Sequence, residues 1–253
     1  MFARFLTRAG DAVSCVALRV VDAARNLLTG VRSALRGAWL NVCDGGRECR
    51  RGDARGLVKI FLQTPLDALL MMTGRTLSAA QTLIGVEPVA RSLDADEIAE
   101  LRKIYGDGID YSRVRLKEGR AAIFSLAGRA FAHGDTIYVP PRLLGKDGRA
   151  DRSLLVHEMT HVWQHQHEGT SYMSRALYAQ KFGDGYNFPK ALREGKTWRQ
   201  MNPEQQAEII QHAHARGFFE QPFDDSTSLI IEGTDRADLM REVMITLRRP
   251  HTT

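Results

Sequence analysis

The segment from Asp151 to Gly169 constrains this chain more than any other: Asp-Arg-Ser-Leu-Leu-Val-His-Glu-Met-Thr-His-Val-Trp-Gln-His-Gln-His-Glu-Gly. Asp151 or Ser153 is placed to cap a helix, and Gly169 to end it. Leu155, Met159 and Val162 recur at helical spacing and form an apolar stripe that would fix the helix against a core. His157 and His161 are four apart, so they stack on one face about 5.4 Å apart along the axis. Two imidazoles so placed can bind one tetrahedral metal ion and leave room for a third protein ligand and a water. Glu158, next to the first histidine, points along the open side, where it can take a proton from that water.

The third ligand has to come from elsewhere. His165 continues the same face, but one helix cannot wrap three ligands around a tetrahedral ion, so His165 is expected as a polar surface residue. His167 breaks the face. The longer H-E-x-x-H-x-x-G-x-x-H pattern fails, because Gln164 stands where glycine is needed and His167 comes one place early. Downstream, Asn202-Pro203 reads as an N-cap and first helical position. Glu204 and Glu208 then fall one turn apart on a second helix. Glu204 is the expected third ligand in a His₂Glu site, and Glu208 the hydrogen-bond partner for the far nitrogen of a ligand histidine. A donor for a developing oxyanion is sought among Tyr172, Tyr178, Tyr186, His212 and His214. Tyr186 lies in the glycine loop Gly183-Asp-Gly-Tyr-Asn-Phe-Pro and is the named candidate.

Charge divides the chain of 253 residues. Residues 1–60 hold eleven Lys and Arg against five acids, a balance of +6, while the remainder carries −1. The excess is therefore local, which argues against a nucleic-acid-binding body. Residues 2–40 read as an amphipathic helix with an Arg-rich face and a break near Gly30. Packing on the body is the simpler expectation for it; weak contact with a membrane surface is the alternative. Residues 43–56 read as a glycine-rich linker, and a helical region from about Leu57 to Ile84 is expected to be interrupted at Thr64-Pro65 and Gly74. Met71 and Met72 are expected as core filler. This divides the chain into a basic helical region, 1–90, and a body, 91–253.

In the body, Ser92-Leu-Asp-Ala-Asp-Glu opens a helix, and Val114–Leu116 and Ala122–Leu126 are expected as short strands. Arg129–Ala132 and Thr136–Val139 form a hairpin whose edge can pair with an extended peptide. Cys15, Cys43 and Cys49 match no zinc site and are expected as free thiols; a Cys43–Cys49 disulfide would need an oxidising compartment. No unbroken apolar run of about 20 residues is apparent. Arg8, Asp11 and Arg19 interrupt any Sec-type signal, so a bacterial cytoplasmic location, with export by another route, is expected.

His157-Glu-Met-Thr-His161-Val-Trp-Gln-His, Asp135-Thr-Ile-Tyr-Val-Pro and Asn202-Pro-Glu-Gln-Gln-Ala-Glu-Ile-Ile together resemble the bacterial zincin-like domains found beside Rhs and Vgr-related components of type VI secretion. The resemblance covers about residues 92–215. It implies an α+β metallopeptidase fold with a small mixed sheet over the active-site helix, Zn²⁺ as cofactor, and Glu204 as the glutamate ligand. It also implies a protein or peptide substrate and association with a secretion apparatus, as cargo or accessory. The expected function is a zinc-dependent peptidase with Glu158 as general base. The alternative is a binding or assembly module with a structural or inactive metal site, docking through its N-terminal helices.

Overall fold

Helix α1 (Phe2–Arg50) runs through Gly30 and continues to Arg50, into the first half of the stretch expected to be a linker. The computed structural model describes residues 2–121, 128–220 and 227–250, with side chains from Ser14 onward. The glycines expected to break the helices act instead as contact points between backbones. A Cβ on Gly45 would lie 2.8 Å from the Gly56 carbonyl oxygen, and one on Gly30 would lie 2.9 Å from Arg75 Cβ. Absence of a side chain lets two helices approach where any other residue would hold them apart. The chain reverses only at Arg51–Ala54, where Gly52 adopts φ 76°.

The return helix comprises α2 (Arg55–Val58), a π turn over Lys59–Gln63, and α3 (Thr64–Leu83). Pro65 does not end it. Its missing amide falls in the first turn of α3, and the π turn before it accommodates the lost bond. Gly74 does not interrupt it either, because a Cβ there would meet the His133 ring at 2.6 Å. The helix Arg55–Leu83 contains an 18-residue window of mean hydropathy 1.2 that is only 17% buried. By length and composition it could cross a membrane, although Asp67 and Arg75 interrupt its apolar run. Asn26 Nδ2 donates to Ser78 Oγ (3.2 Å) and Asn41 Nδ2 to Asp67 Oδ2 (3.3 Å), so α1 and α3 run antiparallel across a polar seam. Met71 is buried with Ala34, Tyr172 and Met173. The three thiols are free.

The body begins with α4 (Ala95–Tyr105), capped by Asp94 rather than Ser92, with Glu97 completing a capping box. Strands β1 (Arg115–Glu118), β2 (Phe131–His133) and β3 (Thr136–Val139) form a sheet in the order β1-β3-β2. β1 is parallel to β3 and β2 antiparallel to it. The strand expected at Ala122–Leu126 lies outside the described residues. Period-two alternation gives the sheet two different faces. Leu116, Ile137 and Val139 enter the main core with Leu155, Met159 and Val162 of α5 (Arg152–Glu168). Lys117, Thr136 and Tyr138 turn the other way, toward α1 and α3. There Tyr138 Oη donates to Ser78 Oγ (2.8 Å) and Arg75 Nη1 to Thr136 Oγ1 (2.7 Å). Lys117, fully buried, ion-pairs with Asp22 (3.0 Å) and Glu87 (2.6 Å). The fold is thus α+β, with the sheet between the N-terminal helices and α5.

Helices α6 (Ser171–Phe182), α7 (Phe188–Arg193) and α8 (Pro203–Ala215) follow. A short β4–β5 hairpin (Ile230–Ile231, Thr234–Asp235) and α9 (Ala237–Leu247) close the core. Trp163 of α5 donates to the Leu247 carbonyl at 3.0 Å.

Candidate metal centre

Residues Leu155 to Gln166 of α5 are all buried, so this helix is the axis around which the body packs. Asp151 caps its start, accepting from the Ser153 and Leu154 amides at 2.9 and 3.2 Å. Gly169 ends it at φ 73°, where a Cβ would lie 3.0 Å from Leu40 of α1. Arg36 of α1 then donates to the carbonyls of His165 (3.3 Å) and Gln166 (2.7 Å), placing a cation at the negative end of the helix. Helix α8 packs against α5. Its start is fixed by a reciprocal box in which Asn202 accepts from the Gln205 amide (2.9 Å) and Gln205 from the Asn202 amide (3.1 Å).

That crossing brings Glu204 to the two histidines. Glu204 Oε2 lies 3.6 Å from His157 Nε2 and 3.5 Å from His161 Nε2, and all three residues are buried. Ligand atoms bound tetrahedrally at about 2.0–2.1 Å sit roughly 3.3–3.4 Å apart, so this triad can close on a metal ion with little movement. The outward nitrogens support the same arrangement. His161 Nδ1 meets Gln164 Oε1 at 2.8 Å, and His157 Nδ1 meets Gln211 Oε1 at 2.8 Å. Gln164 Nε2 is committed to the Pro203 carbonyl (3.1 Å) and Gln206 Oε1 (2.8 Å), which leaves its oxygen for His161. An accepting oxygen at each Nδ1 holds the proton there and leaves Nε2 with a lone pair facing the site. Gln180 Nε2 donates to the other Glu204 oxygen at 2.9 Å.

The groups of the triad act strongly on one another. Burial lowers the His161 pKa, but the Glu204 carboxylate outweighs it and pushes the net value up to about 9. Burial raises the Glu204 pKa, yet His161 and His157 together hold it well below the usual carboxylate range. Glu158 is raised, mainly by burial, against the opposing pull of His157 and His161. It faces the Ala132 amide, while its Oε2 is buried with no hydrogen-bond partner. An orphaned carboxylate oxygen beside a histidine–carboxylate triad is what a metal-activated water would satisfy.

The triad and Glu158 line a cleft of about 580 Å³. Ala130–His133 form one side, Tyr172, Met173 and Leu177 another, and Leu69, Leu70, Thr73 and Leu77 of α3 a third. The N-terminal helical region therefore packs on the body, as expected, and supplies a wall of the site. The edge of β2 is partly spoken for: Ala132 N–H meets Glu158, and its carbonyl accepts from Tyr172 Oη at 3.0 Å.

Tyr186 lies at the mouth, its ring 6.0 Å from that of His157 and its hydroxyl 3.4 Å from Arg129; burial pushes its pKa up to about 12. Tyr172 is in the cleft, but its hydroxyl also accepts from the Gly134 amide (2.9 Å). Tyr178 is exposed, His212 packs on Phe188 at 5.1 Å, and His214 faces Glu100 (3.1 Å). Glu208 Oε2 stands 3.6 Å from His157 Nδ1, behind the closer Gln211. Gln164, Gln211 and Gln180 escaped sequence reasoning. Gln164 at His161+3 and Gln211 at Glu204+7 carry a positional signal, whereas Gln180 carries none. His165 is not the surface residue expected. It is buried, pulled down to about 4 by burial, and its Nε2 faces Ser33 Oγ of α1 at 3.2 Å, away from the triad. His167 contacts the Gly108 carbonyl at 2.7 Å and stacks on Trp163.

Residues 92–169 match the eCIS core domain. The match opens just before the cap of α4 and closes on the Gly169 stop, so it includes His157, Glu158 and His161 and excludes Glu204. The chain is also 30% identical over 181 residues, 66% of its length, to the type VI secretion system spike protein VgrG2b of Pseudomonas aeruginosa. It spans only 18% of that protein. A solved structure, the effector domain of VgrG2b, is similar at 27% identity with a TM-score of 0.37, over 56% of this chain and 83% of that one. By sequence, the chain is related to a secretion-associated Vgr protein.

Proposed function

We propose that this chain is a zinc-dependent peptidase of zincin type, carried by or acting beside a contractile secretion apparatus. The observation that carries the reading is the buried His157–His161–Glu204 triad with the unpartnered Glu158 oxygen next to it. Two imidazole nitrogens, one carboxylate oxygen and an open fourth position favour Zn²⁺ over harder ions. The likeness to a spike protein and to the eCIS core domain supports the secretion part of the proposal.

Bound at the triad, Zn²⁺ would polarise a scissile carbonyl and acidify a water. Glu158 Oε2 takes the proton as water oxygen bonds to the carbonyl carbon, then delivers it to the amine as the C–N bond breaks. Its raised proton affinity, caused by burial, suits both halves of that transfer. Tyr186 donates a hydrogen bond to the carbonyl oxygen as charge builds there. Gln164 and Gln211 hold both histidines in the tautomer that presents Nε2 to the site. Glu208 backs the His157 side of this support.

The test is elemental analysis with a peptide-library cleavage assay. About one zinc per chain is expected, lost in Glu204→Ala and retained in Glu158→Gln, with cleavage abolished in both. Cleavage surviving in Glu158→Gln would refute the assigned mechanism. A zinc-loaded wild type that cuts nothing would favour the binding-module alternative.

A further inference from the structure

The α1–α3 layer is polarised opposite to a helical layer that faces water. Its inner side holds Asp22, Asn26, Ser33, Asn41, Asp67 and Arg75, all buried. Its outer side is apolar. Val21, Leu28, Leu35 and Val42 recur every seven residues along α1, with Trp39 beside them, and all are exposed; Leu28, Leu35 and Trp39 reach 62–68%. On the return helix, Phe61, Leu62 and Leu69 are 64–70% exposed.

The charges on this surface are equally one-sided. From Ser14 to Val42 the exposed charged residues are Arg25 and Arg32, and the one acid, Asp22, is buried against Lys117. From Leu57 to Ile84 no charged side chain is exposed. Asp67 and Arg75 point inward, and Lys59 is half-buried in an ion pair with Glu48. Apolar patches this extended are not left in water. Uniformly positive charge among them matches anionic headgroups, with the arginine stems lying along apolar surface and their heads reaching phosphate. A second copy of this chain fits less well, because a two-fold contact would set Arg25 and Arg32 against their own counterparts.

We propose that the outer faces of α1 and α3 dock on an anionic lipid bilayer. Leu69 belongs both to this face and to the wall of the metal cleft, so docking sets the cleft mouth at the membrane surface. The proposal rests on the surface alone and is independent of the peptidase reading.

The full chain is mixed with phosphatidylcholine vesicles, with and without phosphatidylglycerol, and sedimentation is read beside tryptophan emission. Trp39 reports on the face, since Trp163 and Trp198 are each only 5% exposed. Expected are binding to the anionic vesicles, a blue shift lost in Trp39→Phe, and several-fold weakening as salt rises from about 0.1 to about 1 M. Leu28→Glu with Leu35→Glu, and separately Phe61→Glu with Leu62→Glu, should each lower partition at least about tenfold with the circular dichroism unchanged. Should a variant misfold, quenching of wild-type Trp39 by brominated lipid gives the same answer. The proposal is overturned by absence of binding to either vesicle, by quenching that spares Trp39, or by a concentration-dependent dimer that shields Trp39 without lipid.

Discussion

Lys117→Met should be among the most damaging single substitutions in this chain, although it lies away from the metal ligands. Lys117 Nζ is wholly buried and holds Asp22 of α1 at 3.0 Å, Glu87 at 2.6 Å and Thr82 Oγ1 of α3 at 2.7 Å. Methionine keeps the volume and removes the charge, leaving two buried carboxylates facing each other without the ammonium between them. Breaking a buried ion pair from one side costs about 3–5 kcal/mol. For a chain of this size that lowers the melting temperature by roughly 6–20 °C, at about 2–4 °C per kcal/mol. Urea unfolding followed by far-ultraviolet circular dichroism and by tryptophan fluorescence measures the loss. Adding Asp22→Asn and Glu87→Gln should recover most of it, because the cost comes from unpaired charge and not from lost volume. A loss below about 1 kcal/mol, or a neutral triple variant no more stable than the single one, would refute the reasoning.

Other outcomes follow from the site. Metal-free His161, held up to about 9 chiefly because Glu204 outweighs burial, contributes stability that is complete below its unfolded value near 6.5 and is lost as pH rises through about 9. Zinc must displace that proton, so its affinity should rise by about tenfold per pH unit between roughly pH 6.5 and 9, as calorimetry with a competing chelator would read. Gln164→Leu should weaken zinc about 10- to 100-fold by freeing His161 Nδ1, with direct ligands untouched; unchanged affinity would remove Gln164 from the support of the site. Tyr186→Phe should lower kcat about 10²-fold or more with KM little changed, and an effect confined to KM would reassign Tyr186 to substrate binding.

Legibility from sequence depended on whether a residue acts through local spacing or through distant contacts. The α5 helix, a cap at its Asp151–Ser153 start, its Gly169 stop and the Asn202 cap are local patterns, legible from spacing alone. So was the gathering of His157, His161 and Glu204, because two helices each presented a face. In the N-terminal region glycine signals flexibility by sequence, whereas in the fold it marks close contact. Gly30, Gly45, Gly56 and Gly74 serve interhelical or helix–strand contact, and their partners are up to 59 residues away. The burial of His165 is illegible locally for the same reason: its environment comes from Ser33, 132 residues earlier. The inverted polarity of α1 was equally out of reach, since an amphipathic pattern does not say which face meets the protein.

The clamp that Arg36 places on the end of α5 separates the unit of resemblance from the unit of folding. Residues 92–169 carry the eCIS core match, yet within them the metal helix lacks its Glu204 partner, the Arg36 guanidinium on its last carbonyls, and the acids that neutralise Lys117. A fragment cut to the matched segment would therefore hold His157 and His161 on a helix without its packing partners. Moving the cleft to another chain means moving the helical hairpin, the sheet, α5, α6 and α8 together, because all of them line it.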